Sequence, residues 1–138
     1  MYLIDTNIIS ELTKPKRNLG VVKWISQQES LVLSVISYHE LRYGINRSKI
    51  EQKKKLEIWW SELISYSPEF LPIDIVISNL ASVLRIKSEK NGISMTLADS
   101  LIAATAIHHN RILVTRNVSD FKKCGLSLLN PFEMIESL

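Results

Sequence analysis

Residues 1–10 read MYLIDTNIIS. Tyr2, Leu3 and Ile4 make a short β-prone apolar run that stops at a carboxylate, Asp5. Thr6 and Asn7 follow, and then the apolar residues resume. A core strand has no use for an ionised group at its end unless something meets it there. In open parallel α/β sheets, ligands do bind at the carboxyl ends of strands. The fold therefore turns on whether the rest of the chain repeats this strand-then-helix pattern.

It does repeat. Further β-rich runs fall at 31–35 (LVLSV), 70–73 (FLPI), 112–115 (ILVT) and 126–129 (LSLL). Between them, helices are expected over 7–13, 20–28, 38–48, 51–66, 75–90 and 97–109. Leu56, Trp59, Trp60 and Leu63 make a helical stripe, as do Ile73, Ile77, Leu80 and Leu84, and Asn91-Gly92 is a helix stop. ADSLIAATAI (98–107) is apolar on most sides, the mark of a well-buried helix, and its alanines permit close packing. Strands alternating with helices predict an α/β fold, a parallel sheet covered on both faces.

At 138 residues, with no repeat or Gly/Ser linker, residues 1–138 are expected to form a single domain. The formal charge of +3 suits an anionic partner such as nucleic acid. The one cysteine, Cys124, excludes an internal disulfide and a multi-cysteine zinc site, and is expected to be buried or incidental. A strand starting at residue 2 leaves no room for a signal peptide, and no apolar run approaches the roughly 20 residues that span a bilayer. A cytoplasmic protein with no membrane partner is the expectation.

Four acids can be placed at the carboxyl edge. Asp5 ends the first strand; Glu40 is expected in the first turn of the helix after the second; Asp120 follows the fourth. Asp99 opens the helix that feeds the fourth strand. Each has a local explanation. Ser37-x-x-Glu40 and Thr96-x-x-Asp99 match capping boxes, Asn117-x-x-Asp120 is a looser version, and Asp5 can cap its own helix. A cap contributes about 1 kcal/mol, and singly each acid is better read as one.

Convergence changes the balance. Two carboxylates about 6 Å apart repel by roughly 3 kcal/mol at an effective dielectric near 20. Several such pairs outweigh the caps unless a proton or a cation sits among them. Carboxylate oxygens are hard ligands suited to Mg²⁺ or Mn²⁺. A divalent ion in such a pocket polarises a phosphoryl oxygen and activates water, so phosphodiester hydrolysis is the chemistry the four acids suggest.

The blocks LIDTNIIS, SVISYHELRYG, ADSLIAATA and LVTRNVSDF, in this order, resemble those of PIN-domain ribonucleases, most closely the VapC-type toxins of toxin–antitoxin pairs. The resemblance covers nearly the whole chain. It implies a three-layer α/β/α sandwich with a central five-stranded parallel sheet, and Mg²⁺- or Mn²⁺-dependent endonucleolytic cleavage of RNA. Asp5, Glu40, Asp99 and Asp120 match the family's acidic quartet; Thr6, Asn7, Thr115 and Asn117 match its supporting polar positions. An RNA substrate, a VapB-like antitoxin and a homodimer are the implied partners.

Arg42 and Arg116 lie close in sequence to Glu40 and Asp120, where each could contact an RNA phosphate or pair with an acid. Lys14, Lys16 and Arg17 could extend a backbone-binding surface, whereas Lys53, Lys54 and Lys55 read as a solvated helix face. His39, His108 and His109 lack metal-ligand spacing, and Asp74 reads as a helix N-cap. Trp59 and Trp60 cannot both sit centrally in one contact. A receiver-like signalling domain also gathers acids at a sheet edge, but Asp5 lacks the acidic neighbour and Arg116 stands where such domains need lysine. A binding-only PIN domain is the third reading.

Overall fold

The structure, a computed structural model, describes residues 1–134. The elements run β1 (Tyr2–Ile4), α1 (Thr6–Glu11), α2 (Leu19–Ser26), β2 (Val32–Ser34), α3 (Val35–Asn46), α4 (Ile50–Ser65) and β3 (Glu69–Leu71). There follow α5 (Ile75–Lys90), α6 (Leu97–His108), β4 (Ile112–Val114), α7 (Val118–Phe121) and β5 (Leu128–Leu129). The expected helices and strands are all present, with ends shifted by a few residues; α7 was not expected.

Every strand pair is parallel. The expected single sheet of five strands is corrected: the ladders form one sheet in the order β1-β4-β5 and a second containing β2 and β3. β1 lies against β2, yet no ladder joins them. Strands of three residues or fewer offer few ladder bonds, so a modest splay between neighbours removes all of them.

The layering follows the period of two along each strand. Leu3, Val32 and Leu113 point to one side and pack with Ile77, Leu84, Ile102, Ala103 and Phe121 beneath α5 and α6. Ile4, Leu33 and Val114 point to the other side and pack with Ile8, Ile9, Trp24, Leu41 and Leu63 from α1 to α4. Both strand groups thus sit between the same two helical layers. Within α6, Ile102, Ala103, Ala104 and Ala106 are almost completely buried, as the apolar run predicts.

Two local expectations are corrected. α3 starts at Val35, not near 38, because the Ser34 hydroxyl caps it by accepting from Ile36 N at 3.0 Å. Glu40 therefore lies in the second turn, and Ser37 is an interior helix residue rather than the cap. Asn117 precedes α7 but its side chain makes no cap bond. Other caps are as expected: Asp5 accepts from Thr6 N, Asp74 from Ile77 N and Thr96 from Asp99 N. Cys124 is buried, and burial raises its thiol pKa.

Candidate active site

Asp5 is the most enclosed of the four acids, only 4% exposed. Its backbone N–H bonds to Val114 O at 2.8 Å, which extends the β1–β4 pairing and holds the side chain at the strand ends. Oδ1 accepts from Thr6 N at 2.8 Å, and Oδ2 accepts from the Thr115 hydroxyl at 2.7 Å and Asn7 Nδ2 at 3.3 Å. Burial pushes the Asp5 carboxyl up to about 6, opposed by the Thr115 and Thr6 donors and reinforced by the charges of Asp99 and Glu40.

Glu40 reaches the same corner from α3. Thr6 Oγ1 lies 2.6 Å from Glu40 Oε1 and 2.8 Å from Ser37 Oγ. Thr6 thereby links β1, through its backbone bond to Asp5, to the acid-bearing face of α3. Asp99 stands in the first turn of α6, which is capped by Thr96. Its pKa is raised, first by burial and then by the charges of Glu40 and Asp120, with the Thr96 contact working against the shift. Asp120 lies in the short α7 and is exposed at the rim.

The polar supports cluster around Asp5. Asn7 donates to Asp5, sits 3.4 Å from Thr115 Oγ1, and accepts from Arg116 N at 3.2 Å. Thr115 is fully buried and also accepts from Asn117 N at 3.0 Å. Asn7 and Thr115 thus tie the β4–α7 loop to α1, and Asn117 acts through its backbone. Ser37 is the component that sequence reasoning assigned elsewhere. Its spacing to Glu40 suggests a helix cap, and the same three-residue offset is the signal that places it on the Glu40 face of α3.

The two arginines differ. Arg42 is engaged by the Glu57 carboxylate through both guanidinium nitrogens (2.5 and 3.1 Å) and by Asn46, and it lies over the Trp60 ring. Of the two readings weighed for it, the ion pair is the one found, although the acid comes from α4 rather than from its own neighbourhood. Arg116 is exposed and covers the Phe132 ring, 4.5 Å from its centroid. Lys14 pairs with Glu11 at 2.9 Å. Trp59 and Trp60 are both half-buried against the α1–α4 side of the core.

Four carboxylates from four elements share one electrostatic field: Asp5 feels Asp99 and Glu40, and Asp99 feels Glu40 and Asp120. Among the described residues, none of the four takes part in an ion pair within 4 Å. Their bonded partners are neutral hydroxyl, amide and backbone groups. This is negative charge without a counter-ion, held by hard oxygen donors, and it fits Mg²⁺ or Mn²⁺ better than a softer metal. The set is not closed around a point: among the described residues, no three acid, histidine or cysteine side chains stand close enough to hold one ion together. Among the same residues, no helix is long and apolar enough to cross a membrane.

A family model described as PIN domain matches residues 2–125. The chain is 33% identical to VapC ribonuclease Y4jK of Sinorhizobium fredii, covering 96% of this chain and 99% of that protein. It is 31% identical to Toxin FitB of Neisseria gonorrhoeae, with the same coverage. The crystal structure of FitAcB from Neisseria gonorrhoeae superposes with a TM-score of 0.87 at 30% identity, over 96% of this chain and 99% of that one. VapBC2 of Rickettsia felis, solved bound to a DNA fragment from their promoter, superposes with a TM-score of 0.80 at 26% identity, over 94% and 97%. A receiver domain is thereby set aside. Strand-end aspartate, α3 glutamate and α6 aspartate stand in the fold that the sequence blocks implied, and the chain belongs to the PIN-domain family, among relatives of the VapC type.

Proposed function

We propose that this protein is a divalent-metal-dependent endoribonuclease and the toxin of a toxin–antitoxin pair. One observation carries the reading: four carboxylates, from the end of β1 and from α3, α6 and α7, share one electrostatic field, and among the described residues none of them is paired with a cation within 4 Å. Nearly full-length relatives that are named ribonucleases and toxins support it.

Asp5, Glu40, Asp99 and Asp120 are the residues that would hold Mg²⁺ or Mn²⁺. When bound, such an ion supplies Lewis-acid polarisation of a phosphoryl oxygen and lowers the pKa of the attacking water. The chain's own groups prepare that position. Thr115 and Asn7 fix the Asp5 Oδ2 lone pairs, so this carboxylate stays aimed while the others adjust. Thr6 holds Glu40 Oε1 toward the same corner. Asp120, exposed at the rim, would add its carboxylate to the set from the solvent side. Arg116, which makes no ion pair among the described residues, is positioned to take a substrate phosphate. Arg42 instead braces α3 against α4 through Glu57.

A partner follows from the relatives solved with theirs, FitAcB and VapBC2. We assign this chain a VapB-like antitoxin that covers the acidic corner, a homodimeric state and a cytoplasmic location.

The test is RNA cleavage by the purified chain. Cleavage should require added Mg²⁺ or Mn²⁺, stop with EDTA, and be lost in Asp99→Asn. Mn²⁺ should also raise the melting temperature of the wild type at pH 7 and not that of Asp5→Asn. RNA binding without cleavage in Mn²⁺ would identify a binding-only domain instead.

A further inference from the structure

A hydroxyl buried inside a helix commonly settles on a carbonyl of its own helix. Ser100 and Thr105, both completely buried, do so: they donate to Leu97 O and Leu101 O, each at 2.7 Å. Ser37 of α3 is buried just as completely, and among the described residues its hydroxyl makes no such bond. Its Oγ instead lies 2.8 Å from Thr6 Oγ1, a residue 31 positions away in the chain. Local helix chemistry does not account for Ser37.

The proton count fixes the direction of the contact. A hydroxyl carries one proton, and a carboxylate only accepts. Thr6 Oγ1, 2.6 Å from Glu40 Oε1, therefore gives its proton to the acid. The contact with Ser37 then has one direction left, and Ser37 donates to Thr6. The chain Ser37 to Thr6 to Glu40 starts at a buried hydroxyl and ends at an acid of the proposed metal site. Thr6 is anchored on its other side as well, since its backbone N–H holds Asp5 Oδ1 at 2.8 Å.

This direction limits what Glu40 offers. Oε1 is engaged by Thr6, whereas among the described residues Oε2 has no hydrogen-bond or ion-pair partner. Mg²⁺ demands near-ideal octahedral geometry, while the larger Ca²⁺ readily takes both oxygens of a carboxylate. Without the Ser37 donor, the Thr6 oxygen would keep an unfilled acceptor site and its hydroxyl would be held by Glu40 alone.

We propose that Ser37 is a positioning residue for the metal site: acting through Thr6, it keeps Glu40 presenting Oε2 alone, which favours a small octahedral ion over Ca²⁺. The inference rests on the metal-dependent reading above and adds to it a source of selectivity between ions. Thr6 stands between Ser37 and the acid, so Ser37 acts only through it.

The experiment titrates Mn²⁺ and Ca²⁺ separately into the metal-free protein. Wild type, Ser37→Ala, Thr6→Val, Thr6→Ser and the Ser37→Ala/Thr6→Val double variant are compared by isothermal titration calorimetry, with urea melts in EDTA for stability. Thr6→Val should weaken Mn²⁺ binding at least about 10-fold, the scale for losing a hydrogen-bond partner of a metal-binding group. Ser37→Ala removes only the donor behind it and should cost about 3- to 10-fold, with a smaller loss for Ca²⁺, so that the preference for Mn²⁺ narrows. Thr6→Ser keeps the hydroxyl and should stay within about twofold of wild type. In the double variant the Ser37→Ala loss should vanish, because its route to Glu40 is already cut. A Ser37→Ala variant that is less stable in EDTA yet binds Mn²⁺ like wild type would make Ser37 a packing residue and overturn the proposal. Losses that multiply in the double variant overturn it too, as does an unchanged ratio of Mn²⁺ to Ca²⁺ affinity. Absence of Mn²⁺ binding by the wild type is a separate failure, which removes the metal-site reading itself and the role of Ser37 with it.

Discussion

Asp5 and Asp74 hold the same local office in different surroundings. Each follows a β-strand, each caps the next helix, and each accepts a backbone N–H, Asp5 from Thr6 at 2.8 Å and Asp74 from Ile77 at 2.9 Å. Asp74 is exposed, and among the described residues the cap is the one hydrogen bond its carboxylate makes. Asp5 is buried, bonded to Thr115 and Asn7, and faces two further negative charges. A cap explains Asp74 completely. It explains only one oxygen of Asp5, and what is left over is tertiary: a carboxylate sunk where it costs stability unless it is neutralised.

The largest expected effect of that difference is on activity. Asp5→Asn keeps a cap-competent oxygen and should reduce RNA cleavage at least about 100-fold, whereas Asp74→Asn should leave it within about twofold. Steady-state cleavage of one RNA by both variants decides this, and equal losses would erase the distinction drawn here.

Next comes a pH dependence of folding in the metal-free protein. The folded pKa of Asp5, about 6, lies above its ordinary value of 3.8, so between those limits the native state binds more protons than the unfolded chain. Stability should therefore fall as pH rises from about 4 to about 6 and then level. The contribution is about 3 kcal/mol at most. The upward shift at Asp99 acts in the same direction. Urea melts in EDTA across this range should show the slope in wild type and in Asp74→Asn, but a much shallower one in Asp5→Asn. At pH 7 Asp5→Asn should be the more stable protein, and a destabilised variant there would contradict the burial argument.

Thr115→Val tests the same site from its donor side. Removing a hydroxyl that bonds a buried carboxylate costs about 1–3 kcal/mol, and the loss should be greater at pH 7 than at pH 5, because the charged acceptor needs the donor more. Smallest of all, Asp74→Ala should cost about 1 kcal/mol and Asp74→Asn a few tenths, with no pH slope in the difference between them.

Much of this was legible from the chain, for identifiable reasons. The apolar runs Tyr2–Ile4 and Ile112–Val114 and the alanine-rich α6 announced themselves because strand and helix patterns are local. Asp74 and Thr96 were recognisable as caps on the same grounds. The cap of α3 was misplaced: Ser37 offers the capping-box spacing to Glu40, but the chain leaves β2 earlier and Ser34 starts the helix. The division into two ladders was invisible, since whether β1 and β2 share ladder bonds is settled by how the strands are set against each other and not by an apolar pattern. The pairing of Arg42 with Glu57 was equally hidden, because the carboxylate arrives from a separate helix fifteen positions away. The acids themselves were found by their placement at strand ends, but sequence had no means of showing that they share a field without closing around a point.

The burial of the middle of α6 bears on how the acids would close around a bound ion. Asp99 is attached to a helix whose Ala103, Ala104 and Ala106 are locked against the strands, so it cannot approach Asp5 by sliding or tilting the helix without opening the core. The remaining freedom is torsional, in the side chains of Glu40, Asp99 and the exposed Asp120. Ion capture should then proceed at the pace of rotamer exchange, picoseconds to nanoseconds, with no millisecond gate. A toxin built this way would be armed as soon as its corner is uncovered and an ion is at hand.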